Sequence, residues 1–168
     1  NLCGGLPLDI DYMQAVGDIA RRHGLKIHVD GARFFNAAVV LDVKVDQLAA
    51  EADSVSFCLS KGLAAPVGSV VCGSRDFIFK ARRARKVLGG GMRQVGVLAA
   101  AGIHALDHHV EDLKEDHRRA RVFRETMEPL GVEFTLPSPT NILFLRTADP
   151  FRTVAGLAEH GVLVLPHA

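Results

Sequence analysis

Ser54-Val55-Ser56-Phe57-Cys58-Leu59-Ser60-Lys61-Gly62 is an apolar, strand-forming run that delivers a single lysine at its end. Upstream, Leu25-Lys26-Ile27-His28-Val29 is a second such run, and it ends in Asp30-Gly31-Ala32-Arg33. In open α/β sheets the reactive groups stand just beyond the carboxyl ends of parallel strands. One strand end therefore offers a carboxylate and its neighbour an amine. A pyridoxal phosphate site requires that combination. The amine forms a Schiff base with the cofactor aldehyde, and the carboxylate keeps the pyridine nitrogen protonated so that the ring accepts electrons. Taken singly, Asp30 reads as a helix N-cap and Lys61 as a solvated loop residue. Taken together, with a glycine beside each, they favour the cofactor.

Around these two strands the pattern alternates helix and strand. Residues 8–23 carry Met13, Val16, Ile19 and Ala20 at helical spacing, with Gly24 as the stop signal. Residues 26–29 and 54–59 are strands, with short helices predicted over 32–40 and 45–52 between them. Residues 68–72 predict a third strand, and the unalternating Val70-Val71-Cys72 reads as buried on both faces. Ser74 caps a basic helix that stops at Gly89-Gly90-Gly91. Residues 92–130 lack proline until Pro129 and predict one long helix, buried at its start and exposed at its charged end. Beyond Gly131, strands over 132–136 and 142–146 flank Pro137-Ser138-Pro139-Thr140, followed by a helix over 150–160 and a strand over 162–165. The fold class is α/β, with residues 1–109 as part of a large, mostly parallel sheet domain. Residues 110–168 open a smaller α+β domain.

Composition narrows the partners. A chain of 168 residues with 48% hydrophobic content can bury a core of its own. A formal net charge of +1 gives no argument for nucleic acid or an anionic membrane as the main partner. No apolar stretch approaches the roughly twenty residues that span a bilayer. Cys3, Cys58 and Cys72 show no metal-ligand spacing, so buried thiols in a reduced, cytoplasmic protein are expected.

The runs quoted above extend into longer motifs. His28-Val29-Asp30-Gly31-Ala32-Arg33 is followed by Asn36-Ala37, and Cys58-Leu59-Ser60-Lys61-Gly62 by Leu63-Ala64-Ala65-Pro66-Val67-Gly68-Ser69. A third motif is Gly89-Gly90-Gly91-Met92-Arg93-Gln94. In order and spacing these resemble the low-specificity L-threonine aldolases, fold-type I pyridoxal phosphate enzymes related to the β-eliminating lyases. Ala64 departs from the pattern, since the family usually has glycine there.

The resemblance implies roles. Lys61 is the Schiff-base lysine, and partial burial would favour the neutral amine that attacks an aldehyde. Asp30 binds the pyridinium nitrogen, and Arg33 lies near the substrate carboxylate, which a guanidinium grips through two parallel hydrogen bonds. Arg93 is a positive group at the cofactor pocket or at a neighbouring subunit's. His28 shares a strand face with Asp30 and either supports it or is a satisfied core histidine. The implied reaction is retro-aldol cleavage of L-threonine and L-allo-threonine to glycine and acetaldehyde, in a homodimer or homotetramer. The phosphate-binding loop and further arginines of such enzymes are not found in this chain, so a fragment that is inactive alone is expected.

Other features carry less. Arg82-Arg83-Ala84-Arg85-Lys86 on one helix reads as a solvated face or subunit contact. His104, His108 and His109 with Asp112 have helical spacing but no second ligand set, so no metal is assigned. The glycine triplet follows a helix and fails the context test for a phosphate loop. Met13, Met92 and Met127 read as core. Two other classes remain: a β-eliminating or decarboxylating enzyme on the same fold, and a non-catalytic homologue.

Overall fold

A computed structural model of the chain describes residues 4–166, so Cys3 lies outside it. Helix α1 (Ile10–Arg22) begins where the Asp9 carboxylate accepts the Tyr12 N–H at 2.8 Å, and Gly24 follows it in the left-handed region. Strand β1 (His28–Asp30) is followed by α2 (Phe34–Leu41), the short α3 (Val45–Leu48) and β2 (Ser54–Cys58). β1 and β2 are parallel, with His28 opposite Ser54 and Asp30 opposite Ser56. Strand β3 (Ser69–Gly73) completes the order β1-β2-β3 and runs antiparallel to β2, with Cys58 opposite Ser69. The link from Leu59 to Gly68 is shorter than the dozen or more residues a parallel crossover needs, so the chain must turn back. The remaining helices are α4 (Arg75–Val87), α5 (Gly96–His108), α6 (Leu113–Met127) and α7 (Pro150–Glu159).

Two apolar clusters hold the sheet, and α2 feeds both. Phe34 and Ala38 pack with Leu48 and Val55, while Phe35 and Val39 face Leu59, Leu63, Ala65, Ala105 and Leu113. Phe57 joins the two clusters and meets Phe35 edge-to-face at 5.1 Å. Between α2 and α6, Asn36 Nδ2 donates to His117 Nε2 at 3.1 Å and to Asn141 Oδ1 at 3.3 Å. Burial pushes the His117 imidazole below its ordinary range and so favours the neutral ring, whose Nε2 accepts because the Asn36 amide nitrogen can only donate.

Several expectations require correction. The helix expected over 92–130 is two helices, broken at 109–112, where His109 Nδ1 meets the Asp112 carboxylate at 2.9 Å. The break turns α6 onto α2 and drives Leu113 into the core at 1% exposure, a burial worth about 2 kcal/mol. Nor is the start of α5 buried. It packs through Gly102 and Ala105, and a Cβ at Gly102 would lie 2.9 Å from Leu59, so Val97 and Ile103 face outward. β3 is exposed rather than buried, because β2 is its only strand neighbour among the described residues; Val71 and Cys72 stand open. Met92 is exposed as well.

The strands expected over 132–136 and 142–146 shrink to one antiparallel bridge, Phe134 to Leu145. Pro137 and Pro139 donate no N–H there, and the Ser138 and Thr140 hydroxyls donate instead to the Gly5 carbonyl. Residues 162–165 form no strand among the described residues, and Leu163 and Leu165 are exposed.

The β2–β3 link contains one strained residue. Ala64 has φ 58°, with its N–H on the Lys61 carbonyl at 2.8 Å. A side chain in the left-handed region costs about 1–2 kcal/mol, and glycine returns about 0.4–1 kcal/mol through the freedom of the unfolded chain. Ala64→Gly is therefore expected to stabilise the protein by about 0.5–1 kcal/mol in urea unfolding. A lower midpoint than wild type would show that Ala64 sits there without strain.

Candidate active site

The site forms where β1 and β2 end and β3 begins. Alternation along β2 puts Ser54, Ser56 and Cys58 on one face, matched across the parallel pair to His28 and Asp30. Ser56 Oγ donates to Asp30 Oδ1 at 3.4 Å, and His28 Nδ1 meets Ser54 Oγ at 2.8 Å. His28 is hydrogen-bonded to Ser54 and not to Asp30, and it is exposed, not a buried core residue. The residue that braces Asp30 is Ser56.

Asp30 is not the cap of α2, since Arg33 occupies that position without a side-chain cap bond. The chain leaves β1 through Gly31, whose N–H donates to the Ser56 carbonyl at 2.8 Å. A Cβ at Gly31 would come within 2.8 Å of the Phe34 ring and 3.2 Å of the Ser56 carbonyl, so only glycine allows this approach. Arg33 then stands at the head of α2, where a cation opposes the helix dipole. Helix stability does not explain it. Its side chain lines a small cleft with Asn36, Gly5, Thr140 and Ile142.

Lys61 follows β2 in the turn to β3 and is exposed, not partly buried as expected. Its Nζ donates to Cys58 Sγ at 3.1 Å, and Ser69 Oγ donates to the same sulfur at 3.4 Å. These two contacts, the Ser69 hydroxyl first and Lys61 second, hold the Cys58 thiol below its ordinary range, while the Asp30 charge acts on it in the opposite sense. The carboxylate and the amine thus act on one sulfur. Gly62 lets Leu113 pack beneath the turn, since a Cβ there would meet Leu113 Cδ2 at 2.6 Å.

Arg93 lies outside this cluster, exposed in the link between α4 and α5, with no hydrogen bond or ion pair among the described residues. The histidines of α5 stack on one another, His104 on His108 at 4.4 Å, and no group of three metal-ligating side chains occurs among the described residues. Ser56, Cys58 and Ser69 are the site residues that the sequence reading missed. The strand alternation 54-56-58 was the signal for the first two. Ser69 had none, because its place depends on the hairpin. Asp30 supplies a carboxylate acceptor for a protonated ring nitrogen and Lys61 an amine for a carbonyl carbon, so the donor set fits pyridoxal phosphate.

Comparison with known proteins follows the same line. The sequence model of the beta-eliminating lyase family matches residues 1–150. Low-specificity L-threonine aldolase 1 of Arabidopsis thaliana is 46% identical over 169 residues, which cover 96% of this chain and 47% of that protein. Low specificity L-threonine aldolase of Escherichia coli strain K12 is 42% identical over 160 residues, covering 95% of this chain and 47% of that one. This chain spans about half the length of these curated relatives. The solved threonine aldolase of Leishmania major superposes with a TM-score of 0.73 at 20% identity, over 89% of this chain and 44% of that chain. That structural likeness speaks for the fold, which is fold type I of the pyridoxal phosphate enzymes. By sequence, the chain belongs to the beta-eliminating lyase family.

Proposed function

We propose that the full-length protein is a pyridoxal phosphate-dependent carbon–carbon lyase that cleaves L-threonine and L-allo-threonine to glycine and acetaldehyde. The observation that carries this reading is the placement of Asp30 at the end of β1 and of Lys61 just past the end of its parallel neighbour β2, where it donates to Cys58. The resemblance of the relatives named above supports the substrate class. When bound, the cofactor supplies an electron sink for the pair left at Cα as the Cα–Cβ bond breaks.

Each residue of the chain then has a task. Lys61 would hold the cofactor covalently through its side-chain amine. Asp30 keeps a proton on the ring nitrogen, and Ser56 holds the carboxylate in place for it. Arg33 grips the substrate carboxylate through paired hydrogen bonds. Arg93 is assigned to the cofactor pocket of its own or a neighbouring subunit. We place the protein in the cytoplasm. The unpaired thiols of Cys58 and Cys72 suit a reducing compartment, and no helix among the described residues is long and apolar enough to cross a membrane. We keep the division at 1–109 and 110–168: the three-stranded sheet falls wholly in the first part, and Leu113 and His117 of the second pack back onto it.

Replacing Asp30 by Asn is expected to leave cofactor binding in place while lowering threonine cleavage by two or more orders of magnitude, as for loss of an electrostatic stabiliser. Near-normal turnover with an unshifted absorbance spectrum would remove Asp30 from the mechanism. Assaying serine and tryptophan beside threonine and allo-threonine separates aldol cleavage from β-elimination. Only threonine and allo-threonine should release acetaldehyde.

The exposed apolar residues Phe79, Val87 and Leu88 of α4 and its end support assembly as a homodimer, paired into a homotetramer. If Arg93 serves the neighbouring subunit's pocket, mixing inactive Lys61→Ala subunits with inactive Arg93→Ala subunits is expected to restore part of the activity, because a hybrid then contains an intact shared site. A full-length protein that sediments as an active monomer would contradict the assembly.

A further inference from the structure

Cys58 has no task in the proposed reaction, yet both Lys61 and Ser69 donate to it. Among the described residues, the Lys61 side chain has no hydrogen bond or ion pair other than its contact with Cys58 Sγ at 3.1 Å. A lysine side chain is a flexible four-carbon stem ending in a point charge, so one anchor decides where its nitrogen spends its time. The sulfur itself is fixed from both sides. Its strand pairs with β3 at Cys58–Ser69, and the Ser69 hydroxyl donates to it at 3.4 Å. Two donors on one half-buried sulfur make it an acceptor, a role a thiol can fill and a thiolate fills more strongly.

We propose that Cys58 is a positioning residue for Lys61, its sulfur accepting the hydrogen bond that parks Nζ at the end of β2, on the side of the sheet that carries Asp30. The consequence for catalysis rests on the function proposed above: the amine waits at the place where it captures a carbonyl carbon and to which it returns once displaced. The pairing itself does not rest on that function. Ser69 completes the device by orienting the sulfur, which explains why the turn must bring the start of β3 back to the end of β2.

Two readouts on the full-length protein test this. In the first, the cofactor is removed and Cys58 is alkylated with iodoacetamide across a pH series, with mass spectrometry following the Cys58 peptide. Lys61→Met is expected to move the midpoint of reactivity to higher pH, because it deletes a donor to the sulfur, and Ser69→Ala to move it the same way. Cys72 alkylation and the circular dichroism spectrum should stay unchanged and so report that the variants are folded. In the second, pyridoxal phosphate is added and its capture on Lys61 is trapped with borohydride over time. Cys58→Val is expected to slow capture about tenfold, the size of one hydrogen bond to a charged group, and Cys58→Ser, which keeps an acceptor, to recover most of the rate. An unchanged alkylation midpoint in Lys61→Met, or equal capture rates in Cys58→Val and wild type, would overturn the proposal. Absence of any capture in wild type, with the alkylation shift intact, would sink the functional reading and leave the Cys58–Lys61 pairing standing.

Discussion

The parallel pairing of β1 with β2 is the contact from which the rest of this structure follows. Its register sets Asp30 opposite Ser56, and the bonding runs on through the Gly31 N–H on the Ser56 carbonyl at 2.8 Å and the Cys58 N–H on the Ala32 carbonyl at 3.3 Å. Because Gly31 has no Cβ, the chain can turn there against the Phe34 ring and start α2 at once. A slip of one residue would send Asp30 to the opposite face of the sheet and carry Arg33 away with it. The carboxylate is thus held by backbone geometry, and a single serine suffices to brace it.

The second constraint is the short link between β2 and β3. Too short to cross over, it forces an antiparallel return, and that return lays Ser69 against Cys58. The same turn carries Lys61 outward, with Leu113 packed under Gly62 to support it from α6. The pieces are interdependent. The break at 109–112 seats Leu113, Leu113 supports the turn, and the turn presents the amine. Packing far from the chemistry therefore bears directly on where the reactive nitrogen stands.

How much of this was legible in the sequence depends on how local its cause is. Caps are local, and Ser74 was read as one from the sequence; Asp9 and Asp149 cap α1 and α7 by the same chemistry, though the sequence reading did not name them. Asp30 and Lys61 were legible because both close apolar strand runs. The break at 109–112 was not, since Val110 and Leu113 keep helical spacing and only the docking of α6 on α2 distinguishes two helices from one. Burial along α5 was misread because its contact uses Gly102 and Ala105, which add little to an apolar pattern, while the larger Val97 and Ile103 face outward. Cys58 within an apolar run reads as core, and its partnership with Lys61 and Ser69 exists only once the hairpin closes.

The account stands or falls on Lys61. Incubating the full-length protein with pyridoxal phosphate, reducing with borohydride and mapping the modified peptide by mass spectrometry tests it most directly. The adduct is expected on Lys61 in near-stoichiometric amount, and Lys61→Ala is expected to carry none. An adduct on another lysine, or one that persists in Lys61→Ala, would contradict the assignment of the strand-end amine as the cofactor's anchor.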